Sequence, residues 1–318
     1  MTTILRSLGL LALLFAAAPA RGEVPDVVAS IAPVHSLVAA VMQGVGEPQL
    51  LVPPNVSDHD YALKPSDLRK IEAADLVVWI GEPLETYLVS ALESEAAANL
   101  ALIDSPGVEP RPYGEEWGHA NEHERRHGQE APGAEEESEH GHEHIGLDPH
   151  VWLDPIRAAA MIETLADKLA ELDPEHAGTY RQNAAKTVAE LKAIDASIRQ
   201  RLAPVAAKPF ITFHDGYSYF VDRYGLNQIG QLSVHPEQRP GAASVRALRD
   251  AIAAKGVPCG FAEPQFEATT LQNLVGDAAM NIGTLDAIGA NLTPGPGLYL
   301  SLLQQNARAI ESCLSTSN

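Results

Sequence analysis

Basic residues are scarce in this sequence. The chain of 318 residues has 22 Lys and Arg against 42 Asp and Glu, which gives a formal net charge of −20 at pH 7. Nucleic acids and anionic membranes are bound through positive charge, so this balance excludes a nucleic-acid-binding function. It favours cations near the surface instead.

Long apolar runs are also missing beyond the N-terminus. Arg6, the apolar stretch 8–18 and the small residues 18–20 together have the form of a secretory signal. No later run approaches the roughly 20 apolar residues that span a bilayer, and no cysteine follows the signal as a lipid attachment point. We therefore expect a signal peptide over 1–22 and a soluble periplasmic protein with no membrane anchor.

Cysteine is nearly absent, with Cys259 and Cys313 as the whole supply. In an oxidising compartment, two cysteines predict a disulfide. Closing a loop of this length adds about 4 kcal/mol to stability in the chain-entropy model. Two separate buried thiols are the alternative.

Short apolar runs alternate with amphipathic stretches, which is typical of βα units and a parallel sheet. The first set of predicted strands is "DVVASI", "PQLLVP", "DLVVWIG" and "NLALID", and the second is "PFITF", "NQIGQLSV", "VPCGFAE" and "MNIGTLDAIG". In the first set, the predicted helices are Pro33 to Met42, Pro65 to Ala73 and Leu84 to Glu93. In the second set, helices are predicted after Tyr217, Gly241, Ala268 and Leu298.

The fold class is therefore α/β, with two similar lobes, each a four-stranded, mainly parallel sheet flanked by helices. Between the lobes, apolar residues at three- or four-residue spacing predict one long helix over 174–203. At 1.5 Å per residue, a helix of some 25 residues measures roughly 37 Å, long enough to join the lobes rigidly. We expect an N-terminal lobe over 23–173 and a C-terminal lobe over 204–318.

A low-complexity insertion at about 113–146 interrupts the N-terminal lobe. It is rich in Glu, His and Gly and has no apolar periodicity, so we do not expect it to order itself without a ligand. Its histidines form a candidate low-affinity metal-binding group: His119, His123, His127, His140, His142 and His144. The segment is either a metal collector or an acidic solubilising loop.

Three other histidines share a position just beyond a predicted strand: His59, His150 and His214. Asp286 leaves the last predicted strand in the same way. In open parallel sheets, ligands bind outside the carboxyl ends of the strands, so these four residues predict one site in a cleft between the lobes. Three imidazoles and a carboxylate match zinc in ligand type and number.

A single histidine at a strand end is more often structural than metal-binding, and only the coincidence of three favours a site. We expect His35 to be structural, because it falls at the start of a helix. His176 and His235 have Pro-Glu neighbours, and we assign neither of them to a binding site.

Six segments carry a family resemblance: "DHDYALKPSDL", "ADLVVWIG", "DPHVWLDP", "FHDGYSYF", "FAEPQF" and "TLDAIG". In this order and spacing, they resemble the ZnuA family of periplasmic zinc-binding proteins, which are solute receptors of bacterial zinc ABC importers. That family is related to the streptococcal metal adhesins. The resemblance covers nearly the whole mature chain, from Val27 to Leu314.

The resemblance implies that His59, His150 and His214 are zinc ligands. It implies that Asp286 completes the site, or that this place goes to water or to Asp58, the acidic neighbour of the first histidine. It also implies a disulfide in the C-terminal lobe, between the two cysteines already named, and a rigid helix that spans the lobes. The implied partner is the membrane permease of a zinc ABC importer.

The predicted function is high-affinity periplasmic capture of Zn²⁺ and its delivery to an ABC permease, by a protein that is not an enzyme and is expected to be a monomer. The alternatives are a periplasmic zinc buffer or chaperone without a transporter and a secreted zinc hydrolase, because three protein ligands with an open position also suit catalysis. Against the hydrolase, no GxSxG motif occurs and no HExxH sequence falls in a predicted helix. Glu263 could act as a general base, but support of a ligand or of the lobe is the simpler role.

Overall fold

A computed structural model describes residues 24–94, 98–113, 146–233, 240–266, 271–273 and 280–316. Within them the chain forms two four-stranded sheets in which every strand pair is parallel. The first has the order β2-β1-β3-β4 and the second the order β6-β5-β7-β8. The strands are β1 (Val27–Ala29), β2 (Gln49–Leu50), β3 (Leu76–Trp79), β4 (Ala98–Ala101), β5 (Pro209–His214), β6 (Asn227–Ser233), β7 (Cys259–Ala262) and β8 (Asn281–Thr284). The predicted α/β class with two similar lobes is confirmed.

Helices cover both sheets. They are α1 (Ala32–Val41), α2 (Pro65–Ala73), α3 (Thr86–Ser94), α4 (Pro155–Leu172), α5 (Ala177–Leu202), α6 (Ser218–Tyr224), α7 (Ala242–Lys255) and α8 (Leu298–Ser315). Short 3₁₀ turns occur at Leu102–Asp104 and Val151–Leu153. Proline is the first residue of α2 and of α4, a position at which the backbone N–H has no partner within the helix. Both helix starts can therefore be recognised in the sequence.

The long connecting helix is α5, of 26 residues, close to its predicted span. Helix α4 was not among the predicted helices; it packs along α5 and makes the connection a pair of helices. The Asp154 side chain accepts from the Ile156 N–H at 2.7 Å and caps α4, and Pro155 follows at its first position. Both residues are start signals of a helix that the sequence itself contains.

The two lobes share one hydrophobic core. A single cluster of buried side chains runs from Val27 in β1, through Leu165 in α4 and Leu191 in α5, to Phe210 in β5 and Ile310 in α8. Smaller clusters cover the remaining face of each sheet. Separating the lobes would expose this core to solvent, so the two lobes are not independent bodies. The division of the chain into lobes over 23–173 and 204–318 and a linker over 174–203 remains a proposal.

Cys259 at the start of β7 and Cys313 in α8 form the predicted disulfide, with Cα atoms 6.1 Å apart. It fastens the last long helix to the second sheet. None of the helices in the described residues is long and apolar enough to cross a membrane. The predicted signal peptide and all but the edges of the insertion lie outside those residues.

Candidate metal centre

Three histidines meet where the two lobes face each other. His59 lies in the loop between β2 and α2, His150 lies immediately before the Val151–Leu153 turn, and His214 is the last residue of β5. His150 Nε2 is 3.1 Å from His59 Nε2 and 3.3 Å from His214 Nε2. One nitrogen from each ring lies within 4.8 Å of the other two, which is the separation that a single metal ion needs.

The centre is mostly enclosed. His150 is 0% exposed and His214 is 2% exposed, whereas His59 is partly exposed and forms the solvent side. The ring centroids are 5.1 Å apart for His59 and His150, 5.1 Å for His150 and His214, and 5.6 Å for His59 and His214. Three imidazole nitrogens therefore converge from three segments of the chain.

Each of the two buried rings is oriented by a carboxylate on its far nitrogen. His150 Nδ1 lies 2.8 Å from Asp148 Oδ1, and His214 Nδ1 bonds to Glu263 Oε1. A hydrogen bond at Nδ1 fixes the ring and leaves Nε2 with its lone pair toward the centre. This is the arrangement in which metal-binding histidines are usually held.

Asp148 is itself held by neighbours from both lobes. Its Oδ1 accepts from the backbone N–H of His150 at 3.0 Å, and its Oδ2 accepts from the Ser218 hydroxyl. The Tyr219 hydroxyl donates to the Asp148 carbonyl at 2.8 Å. His150 is therefore positioned by α6 of the C-terminal lobe as well as by its own loop.

Neighbouring charges shift the pKa of His214 and of Asp148. Burial lowers the pKa of His214, but the Glu263 carboxylate outweighs burial and leaves that pKa raised above its ordinary value. Burial raises the pKa of Asp148, and the bonds to His150 and Ser218 outweigh it and leave the pKa lowered. The Asp148 carboxylate is therefore favoured in its negative form.

Two acidic residues that the sequence nominated lie buried near the centre without joining its group. Asp58 is 7% exposed, its Oδ2 has no hydrogen-bond partner in the described structure, and burial raises its pKa to about 6 against the opposing pull of His150 and His214. Asp286 is 1% exposed, and its Oδ1 accepts from the backbone N–H groups of Ile288 at 3.1 Å and Gly289 at 2.7 Å. Its Oδ2 likewise has no partner there.

The other two histidines of the described residues have local partners. His35 Nε2 is 3.1 Å from the Pro48 carbonyl, and His176 Nδ1 is 2.7 Å from Asp173 Oδ2 at the start of α5, so both have local partners. His235 lies outside the described residues, as do the insertion histidines His119, His123, His127, His140, His142 and His144. The insertion also contains His-Glu-Arg-Arg-His at 123–127, which has HExxH spacing but falls in no predicted helix.

Sequence reasoning missed Asp148 and Asp215. Asp148 stands two residues before His150, a spacing that could have nominated it. Asp215, 2% exposed, follows His214 directly, and burial raises its pKa to about 6. Its Oδ1 has no hydrogen-bond partner in the described chain.

Each sheet has a buried carboxyl group that bonds to a side chain at the end of a strand. In the second sheet, His214 ends β5 and bonds to Glu263, which directly follows the adjacent strand β7. In the first sheet, Ser30 directly follows β1 and donates to Glu85, six residues beyond the adjacent strand β3. Burial raises the pKa of Glu85 to about 8.

Comparison with known proteins identifies the family. The family model for the periplasmic zinc-uptake complex component A, ZnuA, matches residues 27–313. The high-affinity zinc uptake system protein ZnuA of Brucella suis is 39% identical over 320 residues, covering 95% of each chain. That of Paracoccus denitrificans is 40% identical over 313 residues, covering 94% of each.

Solved structures agree with the sequence relatives. A crystal structure of ZnuA has a TM-score of 0.74 at 25% identity, and covers 92% of this chain and 100% of its own. A zinc-bound deletion mutant of ZnuA has a TM-score of 0.72 at 25% identity, over 92% of this chain and 98% of its own. The laminin-binding protein Lmb of Streptococcus agalactiae, at 22% identity and a TM-score of 0.75 over 92% of this chain and 100% of its own, shares the fold. By sequence and by fold, this chain belongs to the ZnuA family.

Proposed function

We propose that the protein captures Zn²⁺ with His59, His150 and His214 and delivers it to the permease of an ABC importer in the periplasm. The observation that carries this proposal is that His150 Nε2 lies 3.1 Å from His59 Nε2 and 3.3 Å from His214 Nε2, which comes from the other lobe. Three imidazole nitrogens at that separation are suited to bind a divalent metal.

Zinc is favoured over other metals by the donor set. Manganese and calcium prefer more oxygen donors, whereas imidazole suits zinc, copper and nickel. The sequence relatives reported above carry the name of zinc uptake proteins, and one related structure contains zinc. Zinc is here the cargo and not a resident cofactor, which agrees with a receptor and not an enzyme.

The fourth coordination place is proposed for Asp286, with Asp58 or water as the alternatives. Asp58 interacts electrostatically with His150 and His214, whereas Asp286 is held by backbone N–H groups of its own turn. Comparing Asp58→Asn with Asp286→Asn separates the candidates. The variant that removes the true fourth ligand should bind zinc more weakly. If both variants keep the affinity of the unmodified protein, the fourth ligand is water.

The test of the site is zinc titration by competition with a chromophoric chelator. His59→Ala, His150→Ala and His214→Ala should each lose at least a hundredfold in affinity, because each removes one of three protein donors. His176→Ala is the matched control, since that histidine bonds to Asp173 and not to the centre. Three variants that bind zinc like the unmodified protein would overturn the proposed site.

We propose that the His-rich insertion collects zinc and passes it to the centre through His150. Deleting 119–144 should then leave high-affinity zinc binding intact and slow zinc uptake at low external zinc. If uptake is unchanged, the insertion is only a solubilising loop. If high-affinity binding vanishes while the three alanine variants retain it, the metal site lies in the insertion and the protein is a periplasmic zinc buffer.

Delivery separates a receptor from a buffer or chaperone with the same ligands. A strain that lacks the protein should recover growth under zinc chelation only when both the protein and a zinc ABC permease are present. Recovery without any permease would favour the buffer. A zinc hydrolase that uses the same three histidines is the remaining alternative, and peptidase activity that is lost with His59→Ala would support it.

A further inference from the structure

Tyr219 of α6 joins the two backbone segments at the base of the insertion, which are 111–113 and 146–148. These segments pair in antiparallel fashion, and the Asp148 N–H donates to the Arg111 carbonyl at 2.7 Å. The Tyr219 hydroxyl accepts from the Arg111 N–H at 3.1 Å and donates to the Asp148 carbonyl at 2.8 Å. One hydroxyl of the C-terminal lobe thus satisfies a backbone donor and a backbone acceptor of the N-terminal lobe.

The Tyr219 ring is held independently of its hydroxyl. The guanidinium carbons of Arg111 and Arg157 lie 4.6 Å and 4.8 Å from the ring centroid, where a cation is attracted to an aromatic face. Arg111 also pairs with Asp222, one turn further along α6, and Arg157 of α4 pairs with Asp154 at 2.6 Å. The ring is 1% exposed. It should therefore keep its place when the hydroxyl alone is removed.

The carbonyl that Tyr219 holds belongs to the residue that orients His150. Asp148 Oδ1 lies 2.8 Å from His150 Nδ1 and accepts from the His150 backbone N–H at 3.0 Å. The direction of the His150 ring depends on the Asp148 side chain, and the place of that side chain depends on the backbone bonded to Tyr219. A shift of this backbone would carry the imidazole with it.

Helix α6 also follows the third histidine of the centre. His214 ends β5, and a short turn separates it from Ser218, the first residue of α6. The Ser218 hydroxyl donates to Asp148 Oδ2, next to the bonds that Tyr219 makes. The helix therefore joins the segment that bears His214 to the segment that bears His150, whose Nε2 atoms lie 3.3 Å apart.

We infer that Tyr219 is a positioning residue of the metal centre: by bonding the backbone of the other lobe to α6, it fixes His150 at its distance from His214. This rests on the proposed function of the three histidines as zinc ligands. The Tyr219 hydroxyl is used by backbone groups and gives the metal no donor atom. Its contribution is preorganisation, because rings that already stand at the separation a metal needs lose less freedom on binding it.

The experiment compares Tyr219→Phe with the unmodified protein by zinc titration in competition with a chelator. We expect affinity to fall by about fivefold or more, less than the roughly ten- to hundredfold usual when a group bonded directly to a ligating histidine is removed. Tyr180→Phe is the matched control: the buried Tyr180 hydroxyl, in α5, donates to Asp173 at 2.8 Å, and that variant should keep its affinity. A change for Tyr219→Phe of less than about twofold, smaller than a typical hydrogen bond contributes, would overturn the inference.

Two further readouts separate positioning from support of the fold. Both tyrosine variants should lose stability, because each leaves a buried polar group without its partner, but only Tyr219→Phe should change the visible absorption of cobalt(II) bound in place of zinc. In a His150→Ala background, Tyr219→Phe should cause no further loss of affinity, because the ring that it positions is gone. In a His59→Ala background, the loss should persist. Equal losses in the two backgrounds would refute positioning of His150.

Failure of this inference is distinct from failure of the proposed site. If His59→Ala and His150→Ala lose zinc while Tyr219→Phe binds normally, the site stands and the role of Tyr219 is wrong. If the histidine variants bind normally, the site itself is wrong, whatever Tyr219→Phe does.

Discussion

Trp152 donates its indole N–H to the carbonyl of Ala287, 2.8 Å away and 135 residues later in the chain. Trp152 follows His150 by two residues, and Ala287 follows Asp286, so the bond joins the two lobes beside the metal centre. The Trp152 carbonyl in turn accepts from the Tyr299 hydroxyl of α8. Contacts of this kind keep the cleft in shape before any metal arrives.

Replacing Trp152 with Phe should reduce the free energy of unfolding by about 1–3 kcal/mol beyond the loss of volume, because the buried Ala287 carbonyl loses its donor. Trp79→Phe is the control, since the Trp79 indole nitrogen is buried without a partner in the described structure. Urea denaturation of both variants measures the difference. Equal losses would mean that the bond between the lobes contributes nothing.

Glu263→Gln should weaken zinc binding by about tenfold or more at neutral pH, because the amide holds and polarises the His214 ring less well. It should also change the pH profile. Glu263 raises the pKa of His214, so protons compete with zinc from above the ordinary imidazole range near 6.5, and affinity falls as pH falls.

Without that carboxylate, the loss of affinity should begin at lower pH. Calorimetric titration at several pH values between about 5 and 8 measures the profile, over the range in which imidazole titrates. Asp195→Asn is the control, because the Asp195 carboxylate, in α5, pairs with Arg223 and not with a histidine of the centre. A profile unchanged by Glu263→Gln would contradict the assigned role of Glu263.

Glu85→Gln should make the protein less sensitive to alkaline pH. Burial raises the pKa of Glu85 to about 8 in the folded state, above roughly 4.3 in the unfolded chain. The unfolded state therefore releases its proton first, and this contribution to stability is complete below about 4.3 and is lost as pH rises through about 8.

Across that window, the stability of the unmodified protein should fall relative to Glu85→Gln by about 1.4 kcal/mol per pH unit at most. Urea midpoints measured from pH 4 to pH 9 test this. A constant difference between the two proteins at every pH would show that Glu85 ionises as readily in the folded state as in the unfolded chain.

Removing the disulfide with Cys259→Ser and Cys313→Ser together should lower the free energy of unfolding by about 4 kcal/mol, since 54 residues separate the two positions. Guanidinium denaturation measures the loss. Dithiothreitol should produce a similar loss in the unmodified protein and none in the double variant. A double variant as stable as the parent would mean that the shared core alone fixes α8.

Periodicity and turn signals predicted the strands and most helices because these depend on local sequence. Pro65 and its periodic neighbours fixed α2 at its observed bounds. Helix α4 was not predicted, although its start depends on the local signals Asp154 and Pro155 and not on tertiary contacts.

The metal centre was predictable in part. His59, His150 and His214 could be nominated because strand ends of parallel sheets share one edge. Support of a ligand or of the lobe was the simpler role expected for Glu263, but the sequence could not show that His214 is its partner. Glu263 stands 49 residues from His214, and only the pairing of β5 with β7 brings the two together.

The unequal origin of the three rings has a kinetic consequence. His59 and His150 belong to segments before α4, whereas His214 is the one ring contributed by the second sheet. An ion held by all three can exchange stepwise, through an intermediate bound to two nitrogens on one side. A docking partner would need to withdraw only the His214 ring from the other two rings to lower the barrier to dissociation, while the common core stays closed behind it.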